Sequence, residues 1–228
     1  ADLETGQGLS EAVAGAEAVV FAAGHPRRHV EVEVTGLSRL LCASRRAGVG
    51  HFLFVSIVGV DRIPLPYYGT KLRAETLVAE SGLGCTILRA TQFHYFVDLL
   101  LGTLGRLPLV MPVPRGFRVQ PVAERDVARE ILRCLRRGPS GEVHNYAGPE
   151  ILTTRQAAEL WLDGRGKRKT ILEVPVPGRI AAAFRQGFNT DPGAACGQVR
   201  WADWLRDSSR SLAPRPPHLE PCPTCGRG

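Results

Sequence analysis

The 228-residue sequence has no uninterrupted apolar run long enough to cross a membrane. Its most apolar stretch, residues 93–113, is broken by Asp98, Arg106 and two prolines, whereas a transmembrane helix needs about 20 consecutive apolar residues. We therefore expect no membrane partner. The composition, 44% hydrophobic and 22% charged, is otherwise ordinary for a globular protein with a buried core.

Lysine is scarce, because only three of the 29 basic residues are lysines. The net charge of +7 is carried by arginines that are spread along nearly the whole chain. A protein that binds nucleic acid by charge usually concentrates basic residues in a stripe with interleaved aromatic side chains. We therefore expect no nucleic-acid partner, although a phosphate-bearing ligand is an alternative use for some of the arginines.

Cysteines at metal-binding spacing are scarce as well. Only Cys222 and Cys225 form a Cys-x-x-Cys arrangement, and a structural zinc site needs a second pair of ligands that the sequence does not offer nearby. We expect no metal. Cys42 and Cys134 fall on apolar helix faces and Cys85 opens a strand, which predicts buried free thiols in a reducing compartment, the cytoplasm.

What the sequence does contain is an alternation of apolar runs with amphipathic segments. Apolar runs at residues 18–23, 51–56 and 85–88 predict strands that are covered on both faces. Alternation of such strands with helices predicts an α/β fold with a doubly wound, Rossmann-like parallel sheet. The principal helices are predicted at residues 30–48, 67–80, 93–104, 124–137 and 153–162.

Three residues near the second predicted strand could form an acid/base site. Tyr67 and Lys71 are four residues apart, so on a helix they share one face. A nearby cation lowers the pKa of a tyrosine from about 10, so that the phenol could exchange protons at working pH. Ser56 ends the strand upstream and could orient a substrate oxygen. Tyr-x-x-x-Lys also occurs by chance in helices, where the tyrosine packs and the lysine is solvated.

An ordered set of short motifs resembles the atypical short-chain dehydrogenases/reductases, and within them the NmrA-like NAD(P)-binding group. The resemblance runs from Asp2 to about Leu205. No single motif is specific, but their order is. The motifs are Asp2-Leu3, residues 18–24, Ser56, Tyr67-x-x-x-Lys71, residues 88–93 and Arg125-Asp126-Val127-Ala128.

The resemblance implies a role for each member of the Ser56, Tyr67 and Lys71 set. Tyr67 would be the general acid/base, Lys71 would bind the nicotinamide ribose and lower the pKa of Tyr67, and Ser56 would orient the substrate oxygen. The implied cofactor is NAD(P), with NADP slightly favoured. The other implied cofactor residues are Asp2 and Leu3 at the adenine, Ala22, Ala23 and Gly24 beneath the cofactor, and Thr91, Gln92 and Phe93 beside the nicotinamide.

One part of the family pattern is absent from the sequence. The glycine-rich phosphate-binding turn belongs upstream of Asp2, and Gly6-Gln7-Gly8 does not replace it because no strand precedes it. We therefore expect the chain to be a fragment that lacks the first βαβ unit of the sheet. An apolar strand edge would then be exposed, the fragment would bind dinucleotides weakly, and it would be inactive by itself.

The expected organisation has three parts. Residues 1–122 would form a partial NAD(P)-binding domain, residues 123–210 would complete the sheet and form a small substrate-binding subdomain, and residues 211–228 would be a disordered tail. The substrate pocket is expected to be apolar, which favours a small apolar substrate. Its predicted lining includes Tyr95, Phe96, Leu100, Leu107 and Val110.

Two functions fit these expectations. The first is an NAD(P)-dependent oxidoreductase that acts on a carbonyl, alcohol or quinone-like substrate. The alternative is a non-catalytic regulator that senses NAD(P) and binds a protein partner, as some NmrA-like proteins do. Such regulators typically lack the tyrosine, so the presence of Tyr67 favours the enzyme.

Overall fold

A four-stranded parallel sheet forms the centre of the computed structural model, which describes residues 1–25 and 27–210. The strand order is β1-β2-β3-β6, and all neighbouring strands are parallel. This confirms the predicted α/β, Rossmann-like class. The four strands are β1 (Ala18–Phe21), β2 (His51–Ile57), β3 (Cys85–Ala90) and β6 (Val143–Tyr146).

The sheet is covered by helices on both faces, as a doubly wound fold requires. On one face, Phe52 and Phe54 of β2 pack with residues of the helices α2 (Leu37–Arg46) and α3 (Pro66–Ala79). On the other face, Leu53 and Val55 pack with α5 (Glu124–Arg137). Alternate side chains of β2 thus enter two different cores, which explains why its sequence is an almost continuous apolar run.

The helix after β1 differs from the single α-helix that its apolar spacing predicts. Glu31–Gly36 is π-helical, and only Leu37–Arg46 is α-helical. Gly36 allows this segment to contact the N-terminal residues, because a Cβ atom at position 36 would lie 2.8 Å from the carbonyl oxygen of Leu3. The wider π-helical turn changes which side chains point inward, and it buries Val32 and Glu33.

Strand β1 lies at the edge of the sheet. Within the described residues it pairs with β2 alone, in the register Ala18 to His51 through Phe21 to Phe54. The side chain of Val20 on this strand is 41% exposed. Strand β1 is therefore an edge strand with one exposed apolar side chain, and the proposed reason for it, a missing βαβ unit, stays a prediction.

A second layer is built from segments that follow β3. Its core contains Met111, Trp161, Trp201 and Leu205, which are all buried. The strands β4 (Val110–Pro114) and β8 (Thr170–Val174) pair in parallel, and β5 (Arg118–Val119) and β7 (Leu152–Thr153) pair antiparallel. The remaining α-helices are α1 (Leu9–Val13), α4 (His94–Leu104), α6 (Thr154–Gly164), α7 (Arg179–Arg185) and α8 (Trp201–Arg210).

The cysteine expectations are met in part. Cys85 and Cys134 are buried free thiols, as predicted, but Cys42 is exposed. That prediction was wrong because Leu40, Leu41, Ala43 and Ser44 supply the buried face of α2, which leaves position 42 on the outside. The predicted tail, including Cys222 and Cys225, lies outside the described residues. Among the helices that are described, none has the length and apolarity to cross a bilayer.

Candidate functional site

The residues proposed from the sequence follow neighbouring strands at one edge of the sheet. Ala22, Ala23 and Gly24 follow β1, Ser56 lies at the end of β2, and Thr91 follows β3. Because the three strands are parallel, their carboxyl ends meet at the same edge, which is where ligands bind in open α/β sheets. Helix α3 brings Tyr67 and Lys71 to this edge, starting with Pro66 in its first turn.

Tyr67 and Lys71 are joined by a carboxylate that the sequence did not single out. The Tyr67 hydroxyl donates a hydrogen bond of 2.9 Å to Oε1 of Glu33. The ammonium nitrogen of Lys71 lies 2.8 Å from Oε2 of the same side chain and forms an ion pair with it. Glu33 is 0% exposed and Lys71 is 5% exposed, so this pair is buried. We call Tyr67, Glu33 and Lys71 the tyrosine cluster.

The carboxylate reverses the expected electrostatics of Tyr67. Burial first, and then the negative charge and hydrogen bond of Glu33, raise the pKa of Tyr67 above its ordinary value. The expectation that Lys71 lowers this pKa was wrong for the structure as it stands. That expectation left out Glu33, which pairs with Lys71 and balances its charge, and Lys71 is not among the causes of the pKa shift of Tyr67. Tyr67 is therefore a protonated phenol.

Lys71 is held by three groups from the structure beneath it. Besides pairing with Glu33, its ammonium donates a hydrogen bond of 3.2 Å to the carbonyl oxygen of Val55 in β2. It also lies 4.8 Å from the centre of the Phe54 ring, within range of a cation–π contact. These contacts fix the cation at the end of β2 and leave it buried next to the phenol.

Ser56 belongs to a different set of contacts. Its hydroxyl donates a hydrogen bond of 2.5 Å to Oε1 of Glu75, and the residue is 3% exposed. Arg89 binds both oxygens of Glu75, at 2.9 and 2.6 Å, and also pairs with Asp61 at 3.1 Å. We call Ser56, Glu75 and Arg89 the serine cluster. The proposed role of Ser56 in orienting substrate stays a prediction.

Gly24 leaves bare backbone beside the tyrosine cluster. A Cβ atom at this position would lie 3.1 Å from Oε1 of Glu33 and 3.3 Å from the Tyr67 hydroxyl. Ala22 and Gly24 are exposed, and Ala23 is partly buried. Small residues at a strand end let a ligand approach the backbone closely. The role of Ala22, Ala23 and Gly24 beneath a dinucleotide stays a prediction.

The N-terminal turn packs against the helix after β1. The Asp2 carboxylate accepts a hydrogen bond of 2.7 Å from the backbone N–H of Glu4, and that bond lowers the pKa of Asp2. Leu3 is partly buried and contacts Gly36 through its backbone, and Arg39 donates to the carbonyl oxygens of Leu3 and Glu4. The role of Asp2 and Leu3 at an adenine stays a prediction.

The segment after β3 is engaged mainly with the rest of the protein. The Thr91 hydroxyl accepts a hydrogen bond from the backbone N–H of Gly148 at 3.1 Å. The Gln92 side chain donates to the carbonyl oxygen of Asn189 at 2.8 Å. Phe93 is partly buried, and its ring stacks on Tyr95 with centroids 5.8 Å apart. Among these three side chains, Phe93 is the one most open to a ligand, and their contact with nicotinamide stays a prediction.

Apolar side chains are exposed on helix α4. Tyr95, Phe96, Leu99 and Leu100 are between 43% and 61% exposed, although large apolar side chains usually find cover. Leu107 and Val110, also predicted to line the pocket, are 49% and 37% exposed.

Sequence reasoning missed the two carboxylates on which the clusters are built. Glu33 follows Glu31 in an alternating Glu-Val-Glu-Val run, and only the π-helical winding decides which of them is buried. Glu75 is four residues after Lys71, so it shares the face of α3 that meets the sheet. That spacing was a signal for Glu75, whereas the sequence held no comparable signal for Glu33.

The parallel sheet with helices on both faces defines a Rossmann-like fold. A family model described as NAD(P)H-binding matches residues 1–137. The chain belongs to this NAD(P)H-binding family, which confirms the resemblance to the NmrA-like, atypical short-chain dehydrogenases/reductases. Among curated proteins no sequence gives a significant match.

Solved structures share the fold at low sequence identity. An NADPH-dependent quinone oxidoreductase from Escherichia coli, complexed with NADPH, is 18% identical with a TM-score of 0.76, covering 92% of this chain and 82% of that one. A nucleoside-diphosphate-sugar epimerase from Staphylococcus aureus is 17% identical with a TM-score of 0.70, covering 90% and 81%. A short-chain dehydrogenase/reductase superfamily protein from Agrobacterium tumefaciens, with bound NAD, is 21% identical with a TM-score of 0.65, covering 92% and 83%. The fold is that of NAD(P)-binding oxidoreductases.

Proposed function

We propose that the protein is an NAD(P)-dependent oxidoreductase in which Tyr67 exchanges a proton with the oxygen of a carbonyl, alcohol or quinone-like substrate. The observation that carries the proposal is the placement of the Tyr67 hydroxyl. It lies beside bare backbone at Gly24 and against a buried ion pair, at the carboxyl edge of a parallel sheet. Membership of the NAD(P)H-binding family supports the cofactor class.

The residues of this chain divide the work between binding and proton exchange. When bound, the dinucleotide supplies or accepts the hydride. Gly24, with Ala22 and Ala23, offers the backbone surface for its nicotinamide end, and Lys71 would bind the ribose. Tyr67 gives a proton to the substrate oxygen in reduction and takes one in oxidation. A Cβ atom at Gly24 would lie 3.3 Å from the hydroxyl, so a substrate held next to this glycine would meet the group that exchanges the proton.

The apolar surface of α4 supports a flat, apolar substrate. Tyr95 and Phe93 form a stacked aromatic pair, and Phe96, Leu99 and Leu100 extend this surface along the helix. Aromatic faces of this kind stack on planar rings. A quinone or an aromatic carbonyl compound fits this chemistry, and the structural neighbour from Escherichia coli is a quinone oxidoreductase.

The test is consumption of NADPH or NADH in the presence of a benzoquinone or an aromatic aldehyde. Dinucleotide should be titrated up to millimolar concentration, so that turnover is measured close to saturation. Tyr67→Phe should lower turnover by about 100-fold or more, while dinucleotide binding changes little. Tyr68→Phe is a matched control, because Tyr68 is the adjacent buried tyrosine, whereas the hydroxyl bonded to Glu33 belongs to Tyr67. Turnover that is equal in the wild type and Tyr67→Phe would contradict the assigned role.

The non-catalytic regulator remains the second candidate. It is favoured by the serine cluster, where Ser56 is bonded to Glu75 instead of being open to a substrate. This alternative would be supported by saturable binding of a dinucleotide that is not consumed in the presence of any of the substrates. The expected function would then be to bind a protein partner only when dinucleotide is present.

A further inference from the structure

A buried carboxylate is the direct hydrogen-bond partner of the proposed catalytic phenol. Oε1 of Glu33 lies 2.9 Å from the Tyr67 hydroxyl, within the distance at which a general base takes a proton. Oε2 of the same carboxylate pairs with Lys71 at 2.8 Å, which holds Glu33 in place. A base that is oriented by a third group is the usual arrangement for activating a hydroxyl.

We propose that Glu33 is a positioning residue that takes up and returns the proton of Tyr67, so that Tyr67 passes a proton between the substrate oxygen and the Glu33 carboxylate. The proposal rests on the proposed function, and it adds a residue to that site. It differs from the expectation that Lys71 makes Tyr67 a phenolate. In this structure Lys71 acts on Glu33, and Glu33 acts on the phenol.

The proton balance closes in both directions. In oxidation the alcohol gives its hydroxyl proton to the Tyr67 oxygen, the Tyr67 proton moves to Glu33, and the carbon would give its hydride to a bound, oxidised dinucleotide. Once the product has left, Glu33 returns the proton to Tyr67, whose partly exposed hydroxyl passes it to water, so that the carboxylate is restored. In reduction each transfer is reversed, so protonated Glu33 returns its proton to Tyr67 as Tyr67 protonates the substrate oxygen. Lys71 stays an ammonium throughout and balances the charge of Glu33 whenever the carboxylate is ionised.

The groups that face Tyr67 determine how a titration should be interpreted. Glu33 belongs to the π-helical segment, and Lys71 and Tyr68 belong to α3 itself. The ring of His29 meets the Tyr67 ring edge-on at 5.6 Å, and its Nδ1 is 2.9 Å from the Thr70 hydroxyl. The ring of Tyr68 lies 6.4 Å from that of Tyr67. Within the described residues, Glu33 is the carboxylate that is bonded to the Tyr67 hydroxyl.

The first arm of the test needs neither cofactor nor turnover. Ionisation of Tyr67 is followed by phenolate absorbance, as the difference between each protein and the same protein carrying Tyr67→Phe. Glu33→Gln removes the carboxylate and leaves Lys71 as an unbalanced cation, so the Tyr67 midpoint should fall by about one pH unit or more. Glu33→Gln/Lys71→Met removes both charges, so its midpoint should lie between those of the wild type and Glu33→Gln.

The double variant also protects the test against misfolding, because it leaves no unpaired buried charge. The midpoint order of wild type above double variant above Glu33→Gln supports the proposal. The same midpoint in the wild type and both variants overturns it. This arm is independent of the proposed function, since a protein without turnover still gives the titration.

The second arm applies to the enzyme reaction. Glu33→Gln should lower turnover in both directions by about 100-fold, the contribution of a proton-exchanging group, and Glu33→Asp should restore part of it. The pH dependence of turnover should change in Glu33→Gln as well as its size. Turnover and a pH profile that match the wild type would overturn the proposal.

Discussion

The tyrosine cluster and the serine cluster contain the same three kinds of group, a hydroxyl, a buried carboxylate and a cation, but their surroundings differ. In each, a hydroxyl donates to Oε1 of a buried glutamate that also pairs with a cation. Arg89 satisfies both oxygens of Glu75 with a bidentate contact, and Ser56 is 3% exposed. Tyr67 is only partly buried and lies beside exposed Gly24. The difference indicates that the closed serine cluster stabilises the fold, whereas the open tyrosine cluster could exchange a proton with a ligand.

The serine cluster should show the largest loss of stability. Arg89→Leu leaves Glu75 buried without its cation, and removal of one partner of a buried pair costs about 3–5 kcal/mol. Chemical denaturation measures the free energy of unfolding. Arg155→Leu is the control, because Arg155 pairs with Glu159 at the surface and should cost less than about 1 kcal/mol. Equal losses in the two variants would contradict a structural role for the serine cluster.

His94 shows what burial does to a titratable group that has no carboxylate bonded to it. It is fully buried against the rings of Trp201 and Trp204, and burial lowers its pKa to about 4. Between pH 6.5 and about 4 the unfolded chain binds a proton that the folded chain does not. Stability should therefore fall as the pH falls through this range, by at most about 3 kcal/mol.

The measurement for His94 is the free energy of unfolding as a function of pH. His94→Phe keeps an aromatic ring against the tryptophans and removes the titration, so its curve should be flatter than that of the wild type between pH 6.5 and 4. Parallel curves for the two proteins would show that His94 is not the group responsible.

A smaller loss of stability is expected for Ser56→Ala. The variant removes one hydrogen bond to a charged group, which contributes about 1.5–3 kcal/mol, and Glu75 keeps both contacts with Arg89. We expect a value at the low end of that range in chemical denaturation. A loss as large as that of Arg89→Leu would mean that the hydroxyl, and not the guanidinium, holds the cluster together.

Gly24→Ala should have the smallest effect on stability and a clear effect on the ligand. Position 24 does not require the left-handed conformation, so alanine is tolerated by the backbone. Its methyl group would narrow the space at Glu33 and Tyr67, and we expect weaker binding of NADPH in a titration. Gly69→Ala, where a methyl group meets nothing within 4 Å, is the control. Unchanged affinity in Gly24→Ala would argue against a cofactor over this glycine.

The centre of the main sheet could be predicted from the sequence because β2 and β3 are buried on both faces. The apolar run at His51–Ile57 predicts a strand, and the charged ends of α5 predict a helix, each from its own residues alone. Strand β4 was missed since Pro112 and Pro114 argue against a strand. It forms because β4 and β8 make a two-stranded sheet, in which each strand has a free edge that tolerates proline.

The site was predictable only in part. Tyr67 and Lys71 could be predicted because they are four residues apart on one helix, so their shared face does not depend on the rest of the fold. Glu33 enters the site from the π-helical segment, 34 residues before Tyr67, and its burial depends on a winding that the apolar pattern does not encode. Burial of Tyr67, and then that missing carboxylate, raise its pKa, whereas the sequence analysis predicts a lowered pKa.

The most direct test of the difference between the two clusters is the turnover of Tyr67→Phe and Ser56→Ala, measured side by side under conditions in which the wild type consumes NADPH. Each variant removes one hydroxyl that is bonded to a buried glutamate. Our account predicts a loss of about 100-fold or more for Tyr67→Phe and only a few-fold change for Ser56→Ala. Equal losses, or a larger loss for Ser56→Ala, would contradict it.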